Sequence, residues 1–474
     1  MTTIEQILEG INKGRTLYES VQGSVSAEDK EAQAEDRDMR YGSTYEEAAQ
    51  NASSGELFLG DNLDYMKDLF DRGFEGAFQL IYIDPPFFTR SSFDASVSVR
   101  GADGSSHRVH HLAFDDKFDR SLEYYIENMT ARLLMMRELL ADDGLMWIHL
   151  DWHSSHYIKL VLDELMGSKN FVNEIIWCYK SGGSGKKHFA RKHDTILVYS
   201  KTSGYYLDVP EEKSYNRDLK PYRFKGVKEY RDDIGWYTLV NMKDVWNIDM
   251  VGRTSAERTG YATQKPLELM RRIIGASTRE GDLVGDFFCG SGSALEAAYG
   301  MGRRFAGCDS EELACSMTRR RLYKAGAGLR FVKSGKADAR SGRADIIIDS
   351  KDPLEDGRFL FKCRLSELLP DIDTGSIQIR DRKYVDEALL ADRLQFADHV
   401  LVNTDPASED GQHLVFDTGL DEMIFISPGT PSAAVVDIFG KEYPAEIAEN
   451  ADSLNNTYGT YSFYDADSET AEAE

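Results

Sequence analysis

The segment that most limits what this chain can become is Phe78-Gln79-Leu80-Ile81-Tyr82-Ile83, an apolar run stopped by Asp84-Pro85-Pro86. A run that is apolar at five of its six positions, rather than at alternate ones, reads as a strand buried on both faces. Such strands belong to parallel sheets covered by helices on both sides. The two prolines fix the backbone and withdraw two N–H donors, so the strand cannot continue. Similar runs recur at 57–59, 145–150, 174–179, 283–287 and 304–309, between stretches of helical spacing at 62–70, 122–140, 156–165, 266–276 and 294–299. The alternation predicts an α/β fold with a doubly wound, mostly parallel sheet.

At 474 residues the chain has material for about three structural units of roughly 150 residues each. Its net charge of −25 argues against a polyanionic partner for the molecule as a whole. The average hides an asymmetry. Residues 330–474 carry 14 basic and 30 acidic side chains, whereas residues 180–260 carry 16 basic and 11 acidic. A polyanion therefore has one natural place to bind, the segment 180–260. No run approaches the ~18 apolar residues of a membrane span, and the opening residues lack the basic and apolar regions of a secretory signal. The five cysteines (Cys178, Cys289, Cys308, Cys315 and Cys363) form neither C-x-x-C pairs nor an even set, so a reducing cytoplasm is the expected setting.

These features predict five stretches. Residues 1–54 hold a short helix (Ile4, Ile7, Leu8, Ile11) and an acidic stretch whose apolar-poor part, 24–36, reads as a linker. Residues 55–179 and 261–328 are the two halves of the α/β domain, separated by the basic insert 180–260. Residues 329–474 form a small acidic α+β appendage, with a disordered tail from 465. Residues 91–111, small and polar, read as a long loop.

Two places carry chemistry. Asp84-Pro85-Pro86-Phe87 stands at a strand end, where open α/β sheets bind their ligands. Its carbonyls and the Asp84 carboxylate are acceptors beside an aromatic ring, a setting that suits a planar ring bearing an amino group; a plain strand-terminating turn is the alternative. Asp286-Phe287-Phe288-Cys289-Gly290-Ser291-Gly292 lies between a strand and a helix, where glycines let a ligand approach the backbone. Asp309, 23 residues after Asp286, ends the next strand and can accept hydrogen bonds from ribose hydroxyls. A nicotinamide dinucleotide is the rival ligand, but Leu295 stands where G-x-G-x-x-G has its third glycine. His149, His153 and His156 lack the spacing of a metal site, and Cys289 has no base beside it, so neither a metal nor a cysteine nucleophile is expected.

Taken together, D-P-P-F and the later D-F-F-C-G-S-G resemble the DNA amino-methyltransferases that use S-adenosylmethionine. The order, catalytic motif before cofactor motif, is that of their beta class. Gly60-Asp61-Asn62 and Tyr261-Ala262-Thr263-Gln264-Lys265-Pro266-Leu267 are similar to further segments of that family. Ile148-His149-Leu150-Asp151 and Phe171-Val172-Asn173-Glu174-Ile175-Ile176-Trp177 are similar to segments of type III modification subunits. The resemblance covers about residues 55–325 and implies a Rossmann-like, permuted methyltransferase fold. It makes Asp84, Pro85, Pro86 and Phe87 catalytic. It places Asp61, Asn62, Gln264, Lys265, Pro266, Asp286, Phe288, Gly290, Ser291, Gly292 and Asp309 against S-adenosyl-L-methionine. It further implies that 180–260 holds target recognition, that double-stranded DNA is the partner, and that a homodimer or a restriction or defence subunit is a further assembly.

The residues agree with this chemistry. An exocyclic amine conjugated to a base ring is a poor nucleophile, and Asp84 with the Pro85 carbonyl can accept its two hydrogens and align its lone pair. Phe87 stacks on the base, which must first leave the duplex. The glycine-flanked Lys186, Lys187, Arg191 and Lys192 follow phosphates. By family analogy an Asp at the head of the motif favours adenine-N6 over cytosine-N4. The expected activity is thus a site-specific DNA adenine methyltransferase of restriction-modification or phage defence. The alternatives are a cytosine-N4 enzyme, a methyltransferase of RNA or of protein glutamine, and a silent DNA-binding subunit of a defence complex.

Overall fold

The computed structural model describes residues 1–23, 54–89, 92–101, 103–115, 121–180, 186–252, 254–261, 263–334, 342–373, 375–404, 413–417 and 419–449. The expected linker at 24–36 and tail from 465 lie outside them. The chain divides into two units, one of Met1–Val97, Arg108–Ala337 and Gly375–Asp381, the other of Ser98–His107, Asp338–Thr374 and Arg382–Glu474. Among the described residues no helix is long and apolar enough to cross a membrane.

The first unit is built on a nine-stranded sheet. In chain order its strands are β1 (Ser54–Leu59), β2 (Phe78–Ile83), β5 (Leu140–Leu150), β6 (Phe171–Cys178), β7 (His193–Ser200), β11 (Val245–Asn247), β12 (Leu283–Asp286), β13 (Arg304–Asp309) and β14 (Gly328–Lys333). Their spatial order is β11-β6-β7-β5-β2-β12-β13-β1-β14. All run parallel except β7, which is antiparallel to both β5 and β6. Every residue of β2 is buried, Gln79 included, as a strand covered on both faces requires. The α/β class read from the sequence holds.

The connections are helical: α1 (Thr3–Gly23), α2 (Asn62–Asp71), α3 (Leu122–Leu139), α4 (Ser155–Leu162), α5 (Leu267–Ser277), α6 (Ser293–Gly300) and α7 (Glu312–Lys324). From β2 the chain moves to β5 on one side, and from β12 to β13 on the other. The boundary between β2 and β12 is therefore a switch point, where a crevice opens at the carboxyl ends of the strands.

Several sequence expectations need correction. The stretch 180–260 is not wholly a separate insert, because β7 lies inside it as an interior strand of the main sheet and β11 forms an edge. Residues 201–244 leave the main sheet between β7 and β11 and form a small one of β8 (Glu211–Tyr215), β10 (Trp236–Asn241) and β9 (Glu229–Arg231). The expected loop 91–111 is a two-stranded ribbon, β3 (Ser92–Arg100) with β4 (Ser106–Asp115). The boundary set at 328/329 cuts through β14, which pairs along its length with β1.

The second unit contains a seven-stranded sheet, β18-β17-β20-β21-β15-β16-β19, with only β15 and β21 parallel. These strands are β15 (Arg343–Pro353), β16 (Phe359–Leu369), β17 (Ala397–Asn403), β18 (His413–Phe416), β19 (Met423–Ser427), β20 (Ser432–Asp437) and β21 (Glu442–Ala448); α8 (Arg382–Ala391) belongs to the same unit. Phe361, Val435 and Tyr443 are fully buried in it.

Helix α1 is much longer than the short helix expected and packs on α3 through Ile7, Gly10, Ile11 and Gly14. The i, i+3, i+4, i+7 spacing makes one stripe. A Cβ at Gly14 would stand 2.5 Å from the Glu127 carbonyl oxygen, and one at Gly10 would stand 2.6 Å from that of Glu123. The glycines let two backbones meet. Gly14→Leu should therefore destabilise the protein by about 1–3 kcal/mol in chemical denaturation; wild-type stability would show that α1 is only loosely docked.

Candidate active site

The strands around the switch point all lead into acidic residues. β1 runs into Gly60-Asp61, β2 into Asp84 and β5 into Asp151, while β12 ends at Asp286 and β13 at Asp309. Because these strands are parallel, the five carboxylates gather at one end of the sheet. A cavity of about 510 Å³ opens there, lined by all five together with Asp194 and Glu311. The only Lys or Arg side chains on its wall, among the described residues, are Arg132 and Lys265.

Asp84, Pro85, Pro86 and Phe87 line this cavity as a group. The Lys265 ammonium pairs with Asp84 Oδ2 and lies 5.7 Å from the centre of the Phe87 ring. Asp84 Oδ1 is buried and has no hydrogen-bond partner among the described residues. The Tyr125 hydroxyl donates to the Pro86 carbonyl at 3.0 Å, fixing the turn from α3. Phe88 has φ +61°, a left-handed backbone that costs a non-glycine residue roughly 1–2 kcal/mol, and its ring stacks on Tyr125 at 5.2 Å. Strain of this kind persists where the surroundings over-determine the backbone.

A buried polar chain supports Phe87 from behind. His149, fully buried, lies 6.2 Å from the Phe87 ring at an interplanar angle of 26°. The Tyr82 hydroxyl is 2.9 Å from His149 Nδ1, and His149 Nε2 is 3.2 Å from Asp194 Oδ2. The Tyr179 hydroxyl donates to Asp194 Oδ1 at 3.0 Å. Burial pushes the Asp194 carboxyl up, but His149, Lys265 and Tyr179 together bring it below the ordinary carboxylate range.

The glycine turn forms the opposite wall. Phe288 N–H donates to Asp286 Oδ1 at 3.2 Å, Gly290 N–H to Asp309 Oδ2 at 2.8 Å, and Glu311 N–H to Asp309 Oδ1 at 3.0 Å. Asp309 thus ties the turn to the end of β13 while still facing the cavity. Burial raises the carboxyls of Asp286, Asp309 and Glu311, that of Asp286 well above the usual range. Gly290 and Gly292 have φ +50° and +72°. A Cβ at Gly290 would meet the Tyr261 ring at 3.1 Å, whereas one at Gly292 would meet Thr318 at 2.7 Å. The second glycine therefore makes room for the protein's own Thr318, and unlike Gly290 it does not line the cavity. Ser291 and Phe288 line the cavity, and Arg321 holds the Ser291 carbonyl at 2.9 Å.

Other site residues serve the frame. Asp61 caps α2 by accepting from Leu63 N–H at 2.7 Å, and Arg132 reaches its Oδ2 at 2.8 Å. Asn62 donates to the Phe287 carbonyl at 2.8 Å and accepts from Arg132 at 2.6 Å. The Gln264 amide is spent on its own loop: its oxygen accepts from Thr259 N–H at 2.8 Å, and its nitrogen donates to the Glu257 carbonyl at 2.7 Å. Pro266 opens α5, and Ser293 Oγ donates to the Lys265 carbonyl at 2.8 Å, joining that segment to the turn. Lys186, Lys187 and Arg191 are exposed and Lys192 half-buried; none lines the cavity. Their loop is nonetheless bounded by two residues that do, Tyr179 and Asp194.

Sequence reasoning missed Arg132, Tyr125, Asp194 and Glu311. Only Glu311 left a signal, as an acid two residues beyond a strand end. The crowding at Gly292 gives a test: Gly292→Val should destabilise the protein by about 2–4 kcal/mol, from left-handed strain and overpacking together. Thermal melting would register it, and an unchanged midpoint would mean that Thr318 yields.

The family model described as DNA methylase matches residues 78–320. Type II methyltransferase M.EcaI of Enterobacter cloacae is 29% identical over 345 residues, covering 60% of this chain and 73% of its own. Type II methyltransferase M2.DpnII of Streptococcus pneumoniae is 30% identical over 247 residues, covering 51% and 81%. DNA adenine methyltransferase YhdJ of Escherichia coli K12 is 26% identical over 284 residues, covering 57% and 87%.

Proposed function

The chain belongs to the DNA methylase family, and from that premise we propose that it is a site-specific DNA methyltransferase acting on the 6-amino group of adenine in duplex DNA, with S-adenosyl-L-methionine as donor. The observation that carries the reading is that the D-P-P-F turn and the glycine turn, far apart in sequence, line one cavity, with Lys265 paired to Asp84 on one side and its carbonyl held by Ser293, next to the glycine turn, on the other.

The residues present fit the donor. Seven carboxylates against two cations make a wall suited to a ligand carrying a sulfonium and an ammonium. The same wall disfavours the pyrophosphate of a dinucleotide. S-adenosylmethionine supplies the methyl group on its sulfonium. Asp61, Asp286, Phe288, Gly290, Ser291 and Asp309 are the cavity residues that hold it in this reading, and Glu311 joins them.

On the substrate side, Asp84 Oδ1 has no protein partner among the described residues and so can accept one amine hydrogen, with the Pro85 carbonyl accepting the other. Lys265 pairs with Asp84 and fixes its position, and Phe87, backed by His149, stacks on the base. What these groups supply is alignment of a poor nucleophile, a matter of positioning and local electrostatics. Adenine is favoured by the Asp at the head of the motif. The basic loop 186–192 is the part that meets phosphates, and a separate restriction subunit completes the proposal.

Asp84→Ala should lower methyl transfer from labelled donor by about 10²–10⁴-fold while calorimetry shows donor binding little changed. Near-wild-type transfer in this variant would sink the assignment. Replacing Lys186, Lys187, Arg191 and Lys192 together by alanine should weaken DNA binding far more than donor binding. The slope of log affinity against log salt should fall by about 0.9 for each phosphate left unneutralised, up to roughly 3–4 in all. Fluorescence anisotropy across a salt series reads this out; a wild-type slope would place the DNA elsewhere.

A further inference from the structure

The basic loop carries a residue that phosphate binding does not explain. Phe189 is 98% exposed, the most exposed of the large apolar side chains described. It sits between Lys186, Lys187 and His188 on one side and Arg191 and Lys192 on the other. Single exposed apolar residues are ordinary on protein surfaces, but this one has three further properties.

First, the loop's place is fixed by topology. It leaves the sheet after β6 through Tyr179 and returns to β7 through Asp194, and both residues line the cavity. Phe189 is five residues from Asp194, hence at most about 18 Å from it along the chain.

Second, the returning arm is braced. Asp151, on the cavity wall, accepts from His153 N–H at 2.8 Å, and its Oδ2 lies 2.5 Å from His153 Nδ1. Trp152 packs on the His153 ring at 3.6 Å, and the Arg191 guanidinium lies over Trp152 at 3.9 Å. Arg191, two residues from Phe189, is thus seated on a stack rooted in the site. Its N–H edges stay available to phosphate, since the stacking uses only the guanidinium face.

Third, the surrounding charge is of the sign that draws a phosphate backbone to either side of the ring.

We infer that Phe189 enters the DNA stack at the place the target base vacates. Resting on the reading of the cavity as a DNA-methylating site, the inference assigns a wedge to that reaction. Flipping a base leaves a gap between its neighbours and costs unstacking and unpairing energy; an apolar wedge that fills the gap offsets part of that cost. The flanking cations hold the two phosphate backbones while the ring inserts. Phe189 does not touch the methyl group or its donor. It is a positioning residue, acting on the equilibrium between the stacked and extrahelical base.

The test uses the full-length protein and two duplexes carrying the site at which it methylates DNA. One is fully paired. The other has an abasic position opposite the target adenine, so that flipping costs less. Single-turnover methyl transfer is measured for wild type, Phe189→Ala and Phe189→Trp. The expected result is that Phe189→Ala slows transfer by about tenfold or more on the paired duplex and by much less on the abasic one. Phe189→Trp should keep most of the rate on both, and donor affinity should be the same in all three. Wild-type rates for Phe189→Ala on the paired duplex overturn the wedge, as does an equal loss on both duplexes, which would mark a plain surface contact. Absence of any methylated base when wild-type protein and donor are incubated with unmethylated genomic DNA, the step that locates the site, overturns the underlying function, a result distinguishable from both.

Discussion

The parallel pairing of β2 with β12 is the constraint on which the site depends. Leu80 lies beside Val284 and Ile81 beside Gly285, so the strands end together and Asp84 and Asp286 emerge at the same edge of the sheet. The fit is tight. A Cβ at Gly285 would stand 2.9 Å from the Phe78 ring, and Phe78 meets Phe287 edge-on at 5.7 Å. Close packing of this kind leaves little freedom of register, and a slip by one residue would turn the side chains at the strand ends to the other face. Sequence-distant turns become one cavity because two buried strands fit in one way.

Electrostatics then divides the molecule by task. The cavity gathers carboxylates at the strand ends and admits two cations, each bound to acids: Lys265 to Asp84 and Arg132 to Asp61. A carboxylate removed from water is costly unless paired, and Lys265 pairs Asp84 from a segment 181 residues away. On the loop 186–192 the sign reverses, and the exposed Lys186, Lys187 and Arg191 stand against a net charge of −25. In the proposed function the acidic interior takes the cationic donor and the basic loop takes the polyanion, separate solutions on one scaffold.

Much of this was legible in the sequence because it was written in local patterns. The apolar run before Asp84, the glycines after Asp286 and the acid at Asp309 each announced a strand end. What stayed hidden depends on contacts between distant residues. β7 follows a basic stretch and runs against its neighbours, so strand–helix alternation did not reveal it; its buried Ile196, Leu197 and Val198 show it only once the sheet is seen. Residues 92–101 and 103–115, rich in serine, histidine and charged residues, form strands by pairing with one another, which local patterns do not show. Gly10 and Gly14 give α1 its docking surface on α3, something that helical periodicity cannot show. Lys265 belonged to a recognisable segment, but its bond to Asp84 is a fact of tertiary structure, as is the use of Gln264 to brace its own loop.

The central claim is that the amine of adenine receives a methyl group at the Asp84 cavity. The most direct measurement is nucleoside mass spectrometry of unmethylated DNA incubated with the protein and methyl-labelled S-adenosylmethionine. The account predicts label in N6-methyldeoxyadenosine alone, reduced by about 10²-fold or more when Asp84 is alanine. Label in N4-methyldeoxycytidine, or undiminished label with the Asp84→Ala protein, would contradict it.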